Sequence, residues 1–84
     1  MGFYRGQQIV YIPSHANGNI KHPDCEFGFV TGVNSVGDPY CRYWSKSSPG
    51  ELRTKANSEC TPKQLVRLHD SRDPHTISSL LETM

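Results

Sequence analysis

Every stretch of this chain able to form regular structure is short and ends at a turn-forming residue. Ile9-Val10-Tyr11-Ile12 stops at Pro13. The run from Cys25 to Asn34 contains Gly28 and Gly32 and opens into Asn34-Ser35-Val36-Gly37-Asp38-Pro39. Tyr40 to Ser45 is followed by a turn over Lys46 to Gly50. The residues between these breaks are β-branched and aromatic types, which fit a pleated, half-buried surface. Proline cannot donate to a strand ladder, so it closes the runs it follows. The chain therefore reads as five short strands: Gln7 to Pro13, Cys25 to Asn34, Tyr40 to Ser45, Glu51 to Lys55 and Leu65 to His69. Glycines inside the second strand predict a bend or bulge. Thr61-Pro62-Lys63-Gln64 predicts one helical turn before the last strand, with Thr61 as cap and Pro62 in the first helical position.

The end of the chain changes period. Asp73-Pro74 is a helix start, a capping side chain followed by proline. Ile77, Leu80, Leu81 and Met84 then recur at helical spacing and form one apolar face. This predicts a C-terminal helix from Pro74 to Glu82. So short a helix is marginal alone in water and has to dock on something. The organisation expected is a β domain over residues 1–70, with the amphipathic helix of residues 71–84 docking on it or on a partner.

With 84 residues the chain is long enough for one domain and a modest core. That favours binding over catalysis, since a scaffold of this size leaves little room for a deep pocket. No stretch reaches the roughly 20 apolar residues needed to span a bilayer. The N-terminus lacks the apolar run of a signal peptide. A cytoplasmic protein without membrane attachment is the expectation, with Cys25, Cys41 and Cys60 as reduced thiols. The net charge of +1 is unevenly spread: from Arg42 to Arg67 six basic residues face two acidic ones. Such a segment can attract phosphates.

Gly6-x-x-Ile9-Val10-Tyr11, Glu26-x-Gly28-x-Val30 and Cys41-Arg42-Tyr43-Trp44, with the turn Thr61-Pro62-x-x-Leu65, resemble the strand order of SH3-like small β-barrels of the Tudor and KOW kind. The resemblance covers residues 6–69. It implies a mainly β fold: a five-stranded SH3-like barrel with one helical turn before the last strand, here extended by the short C-terminal α-helix. Tyr11-Ile12-Pro13-x-His15-Ala16-x-Gly18, followed by His22-Pro23-Asp24-x-Glu26-x-Gly28, is also similar to small, mostly uncharacterised bacteriophage-encoded proteins. That similarity implies a phage origin and no particular activity.

Alternation along the strands sorts the apolar residues into two faces. One sorting sends Val10, Ile12, Val30, Cys41, Tyr43 and Leu52 inward and leaves Ile9, Tyr11, Phe27, Phe29, Tyr40 and Trp44 on the opposite face. Monomers rarely leave such an aromatic patch bare. The C-terminal helix, a second copy of the chain, another protein, or a stacked base or small ligand would each cover it. A one-residue error in the sorting flips every side chain of a strand.

The leading expectation is a non-enzymatic protein-interaction module, a phage-type regulator or inhibitor that occupies a partner's surface. Its anchors would be Tyr11, Phe27, Phe29, Tyr40 and Trp44, with Arg42 at the rim, because aromatic residues and arginine dominate interface energetics. The partner is another protein of unstated identity, or a second copy forming a homodimer. The alternative is a nucleic-acid-binding barrel of KOW type, with Arg42, Lys46, Arg53 and Lys55 on phosphates and Trp44 as a stacking surface. No cofactor is expected. His15, His22 and Cys25 are weak metal candidates, of ligand types that suit zinc but without paired spacing. Cys25 beside His22 is the best candidate for a nucleophile–base pair, with no orienting third group or oxyanion hole evident near it.

Overall fold

The computed structural model describes residues 2–48, 50–53 and 57–83. Five strands are present, β1 (Gln8–Tyr11), β2 (Glu26–Val33), β3 (Pro39–Tyr43), β4 (Glu59–Cys60) and β5 (Val66–Leu68), followed by helix α1 (Pro74–Glu82). Short 3₁₀ turns lie at Ser14–Ala16 and Lys63–Leu65. The strands form one antiparallel sheet in the order β4-β3-β2-β1-β5. Among the described residues its outer strands do not pair with each other, so the sheet is not closed.

Three expectations for the elements need correction. The fourth strand is Glu59–Cys60, not Glu51 to Lys55. Of the expected strand, Leu52 makes an isolated bridge to Trp44 and Arg53 donates its backbone N–H to the Tyr43 carbonyl, while Lys55 lies outside the described residues. The turn before β5 begins one residue later than expected and has no side-chain cap, so Thr61 does not cap it. The Thr61 hydroxyl instead meets the Tyr43 hydroxyl at 2.6 Å in the interior. A buried phenol needs such a partner more than a short turn needs a cap.

The third correction concerns the faces. In β2 and β3 the expected sorting matches the clusters: Val30, Cys41 and Tyr43 pack together, and Phe29 packs with Trp44 on the other side. In β1 it is reversed. Ile9 pairs with Gly28 and joins the Val30, Cys41, Tyr43 and Val66 cluster, where Tyr11 packs at the edge. Val10 pairs with Phe27 and, with Ile12, Ala16 and Cys25, forms a second cluster under the loop between β1 and β2. Leu52 leaves its expected place and packs with Phe29 and Trp44. Ile9 and Val10 are both apolar and both fully buried, so hydrophobicity could not say which faces which side. Both faces of the sheet are covered.

The bulge expected from the glycines falls between Val30 and Gly32, where the register with β3 shifts. Gly28 has a different role. A Cβ built there would lie 2.0 Å from the Arg42 carbonyl oxygen, so β2 and β3 meet at a distance that only glycine permits.

Helix α1 forms where its sequence signals place it. Asp73 caps it, its Oδ1 accepting from the His75 N–H at 2.9 Å, and Pro74 occupies the first turn. Its apolar stripe settles on the aromatic face: Ile77 is buried against Phe29 and Trp44, flanked by Leu80 and Leu81. Burying an isoleucine side chain of this kind contributes about 1.5–3 kcal/mol. Polar ties hold both ends. The buried Gln8 side chain donates to the Arg72 carbonyl at 2.7 Å and accepts from the Arg72 N–H at 2.9 Å. Arg5 donates to the carbonyls of Thr31 and Leu81.

Candidate functional site

The six residues expected to anchor a protein partner do not form one exposed patch. Phe29 has no exposed surface, and Trp44 is 4% exposed beneath α1. Arg42 lies buried beside them on β3, opposite Phe29 in the ladder. A helix from the same chain fills the place expected for a partner. Tyr11 is half-buried and turned to the other face, with its ring 6.5 Å from that of Tyr43. Tyr40 is 39% exposed and stands alone near the bulge. Phe27 is the exception. It is half-buried, touches both the loop cluster and the helix cluster, and has one side open.

The cations expected to contact phosphate are not gathered either. Arg53 is neutralised: its Nε donates to Glu26 at 2.7 Å and its Nη2 to Glu59 at 2.8 Å, while its guanidinium sits 5.7 Å from the Tyr43 ring centre. These carboxylates hold the Arg53 guanidinium above its ordinary pKa, with the Glu59 hydrogen bond the largest cause. Arg42 is buried, and Lys55 lies outside the described residues. Lys46 stands at an open cleft, where its ammonium donates to the Pro23 carbonyl.

The cleft lies between the loop preceding β2 and the segment following β5. One lobe, of about 490 Å³, is lined by Phe27, Trp44, Ser45, Lys46, His69, Ser71 and Arg72. The other, of about 600 Å³, is lined by Ile20, Lys21, His22, Pro23, Cys25, Phe27, Lys46 and His69. The lobes share Phe27, Lys46 and His69 and so form one continuous depression. Its described lining holds Lys21, Lys46, Arg72 and two histidines, and neither Asp nor Glu. The carboxylates Glu26 and Glu59 line a separate hollow with Tyr11 and Tyr43. Phe27 and His69 form a tilted pair with centroids 5.2 Å apart on the cleft wall. The Arg72 guanidinium covers the Trp44 ring. The Trp44 Nε1–H is buried and has no acceptor among the described residues. An unmet buried donor of this kind costs about 1–3 kcal/mol.

Sequence reasoning missed His69, Arg72 and Lys21. They come from three separate segments, the loop before β2, the residue after β5 and the helix linker. The cleft is made by the helix linker returning over β1, through the Gln8–Arg72 bonds, a long-range contact that local pattern does not encode.

The histidine loop departs from expectation at one residue. Cys25 is buried and its thiol donates to the Asn19 carbonyl at 3.2 Å. The His22 Nδ1 accepts the Asp24 backbone N–H at 3.0 Å. The bonds seen for the candidate nucleophile–base pair thus go to Asn19 and to the Asp24 backbone. In place of Cys25, Asp24 joins the histidines, its carboxylate 2.6 Å from His15 Nε2. That bond is the main cause holding the Asp24 carboxyl below the usual carboxylate range.

Among the described residues no helix is long and apolar enough to cross a membrane. No protein-family model, curated protein or solved structure matches this chain, so the assignment of a site rests on the geometry above.

Proposed function

We propose that this chain is a small non-enzymatic interaction domain that binds an acidic segment of another protein in the cleft around Phe27, Lys46 and His69. One observation carries the reading: a continuous groove with an apolar floor, ringed by Lys21, Lys46 and Arg72 and lacking any carboxylate in its described lining. Carboxylates on a partner meet cations in that lining, and Phe27 gives an apolar side chain a place to pack. The cations set encounter rate and specificity, while the buried apolar contact supplies the affinity that persists in salt. The sheet order β4-β3-β2-β1-β5, with a 3₁₀ turn directly before β5, supports an SH3-like arrangement in which this cleft lies on the outer face of the sheet.

Nucleic acid is the second reading, favoured by the acid-free lining and the guanidinium–indole pair beside it. Three cationic side chains is a small number for a ligand whose affinity grows with each phosphate neutralised, which places this reading second.

Fluorescence anisotropy separates the two. The full chain is titrated with a labelled peptide of alternating Glu and Leu, with its Gln-for-Glu counterpart, and with a labelled oligothymidylate. Saturable binding of the acidic peptide alone, weakened at least tenfold by Lys46→Glu, supports the proposal. Binding of the oligonucleotide alone, with steep salt dependence, transfers the cleft to nucleic acid. Equal binding of both peptides removes the cationic rim from the account.

A further inference from the structure

We infer that His15, His22 and Asp24 form a binding site for a divalent transition-metal ion of the zinc class. Each of the three offers one ligand atom, and these atoms all lie within 4.8 Å of one another. Modest side-chain rotation brings them to the roughly 3.3 Å spacing of ligands that share an ion at bond lengths of about 2.0 Å. The imidazoles of His15 and His22 already meet edge to face, with ring centroids 5.2 Å apart. The inference does not rest on the proposed function: His22 also lines the cleft, but Phe27, His69 and Arg72 supply no ligand.

The loop is built to hold these groups. Its backbone turns on itself repeatedly: Ala16 N–H donates to Pro13, Asn19 to Ala16, His22 to Asn19 and Cys25 to His22. Asn17 adopts a left-handed conformation at the end of the 3₁₀ turn, which directs the chain back past His15. Beneath the loop, Val10, Ile12, Ala16 and Cys25 form a packed apolar base. The three ligands are thus carried by a ten-residue segment with both ends anchored in the sheet. That cuts the ordering cost a metal would otherwise bear.

The donor set selects the ion. Two imidazoles and one carboxylate suit zinc, and copper or nickel by the usual order of affinities. A hard cation such as calcium needs six or more oxygen ligands. It finds a single carboxylate here. His15 and Asp24 are both exposed, so water completes the coordination. In the structure the His15 N–H donates to Asp24, and that proton is what the ion displaces. His22 gives up its bond from the Asp24 N–H whether it binds through Nδ1 or through Nε2, since in the second case its ring proton moves to Nδ1. Each imidazole binds as the neutral ring, its proton moving to the free nitrogen, and solvent protons compete for the same lone pairs, so affinity falls as pH is lowered.

The test is isothermal titration of the full-length chain with zinc chloride and, separately, calcium chloride, beside His15→Ala, His22→Ala, Asp24→Asn and a Cys25→Ser/Cys60→Ser double variant. The expected result is one zinc per chain, a loss of at least tenfold in affinity in each of the first three, no loss in the cysteine variant and no calcium binding. Long-range proton–nitrogen spectra should show the His15 and His22 ring nitrogens shifting with zinc while those of His69 and His75 stay in place. Zinc binding that survives His15→Ala and Asp24→Asn, or that is lost in the cysteine variant, overturns the assignment. So does the absence of binding at one hundred-micromolar zinc, on the order expected for even a loose three-ligand site.

Discussion

The Arg72 guanidinium lies 4.4 Å from the centre of the Trp44 ring. This contact closes the lobe of the cleft nearest the helix and joins the helix linker to the end of β3. Its location makes it a packing element and a rim cation at once. Arg72→Ala should cost about 0.5–1 kcal/mol of stability, the range of a partly exposed cation–π contact. It should also shift the emission of Trp44, the single tryptophan. Arg72→Lys should keep acidic-peptide binding within a few fold but reproduce the emission change. Unaltered fluorescence in both variants would mean that the guanidinium does not occupy the ring face in solution.

Ile77 is the side chain through which α1 covers the aromatic face. Ile77→Ala should lower stability by about 2–5 kcal/mol, the range for truncating a buried isoleucine. In a domain of this size that is much of the total. Removal of residues 74–84 should go further and expose Phe29 and Trp44, measured as binding of an apolar dye and as self-association by light scattering. A truncated chain that stays monomeric and dye-free would show that the helix is not the cover.

The approach of β2 and β3 at Gly28 allows a sharper test of the backbone. Gly28→Ala puts a methyl group into the Arg42 carbonyl, an atom that cannot rotate away. Loss of cooperative unfolding, or a destabilisation above about 3 kcal/mol, is expected. Gly32→Ala is the control, since a Cβ there would meet only the Tyr40 ring at 3.8 Å. Its cost should be small.

The three thiols should separate by reactivity. Cys60 is exposed, whereas Cys25 and Cys41 are buried. Burial pushes the Cys41 thiol from its ordinary value of 9.0 up to about 11. A thiol-specific chromogenic reagent at pH 8 should therefore titrate one thiol rapidly in the native chain and three after denaturation. The same shift fixes a sign for alkaline stability. The folded chain holds the Cys41 proton more tightly than the unfolded chain does. Its contribution is thus fully present below pH 9 and is lost as pH rises toward 11. Burial raises the Tyr43 phenol as well, which extends the decline to higher pH. Denaturation midpoints should be flat near neutrality and fall above pH 9, and Cys41→Ala should flatten the first part of that fall.

Arg53 should matter little. Its ion pairs are solvent-exposed, so Arg53→Ala should cost no more than about 1 kcal/mol. It should leave ligand binding at the cleft unchanged. A large loss of oligonucleotide binding in this variant would restore the basic segment as a nucleic-acid surface.

Much of the local structure was legible in the residues. The spacing of Ile77, Leu80 and Leu81 behind Asp73-Pro74 placed the helix within its observed bounds, because capping and period act over a single turn. Strands β1, β2 and β5 lie within their expected spans, and β3 begins one residue before its own, at Pro39, which pairs with Val33. The short Glu59–Cys60 strand was not legible. Nothing in a two-residue polar stretch announces pairing, and it becomes a strand only because β3 offers an unpaired edge. The candidate site was legible in fragments. Phe27, Trp44 and Lys46 were singled out from the sequence as binding residues, while His69, Arg72 and Lys21 were not.

By itself, then, the sequence determined where the chain can be straight, where it must turn, and that its last residues form a helix with one apolar face. These properties depend on dihedral preferences and hydrogen-bond capping among near neighbours. The tertiary structure decided which of Ile9 and Val10 faces the helix side, since both are apolar and only their pairing with Gly28 and Phe27 distinguishes them. It also decided that α1 covers Phe29 and Trp44, that Arg53 spends its charge on Glu26 and Glu59, and that Asp24 rather than Cys25 stands with His15 and His22. Each of these is a choice among chemically similar partners, settled by which surfaces can be buried together at the least cost in unmet polar groups.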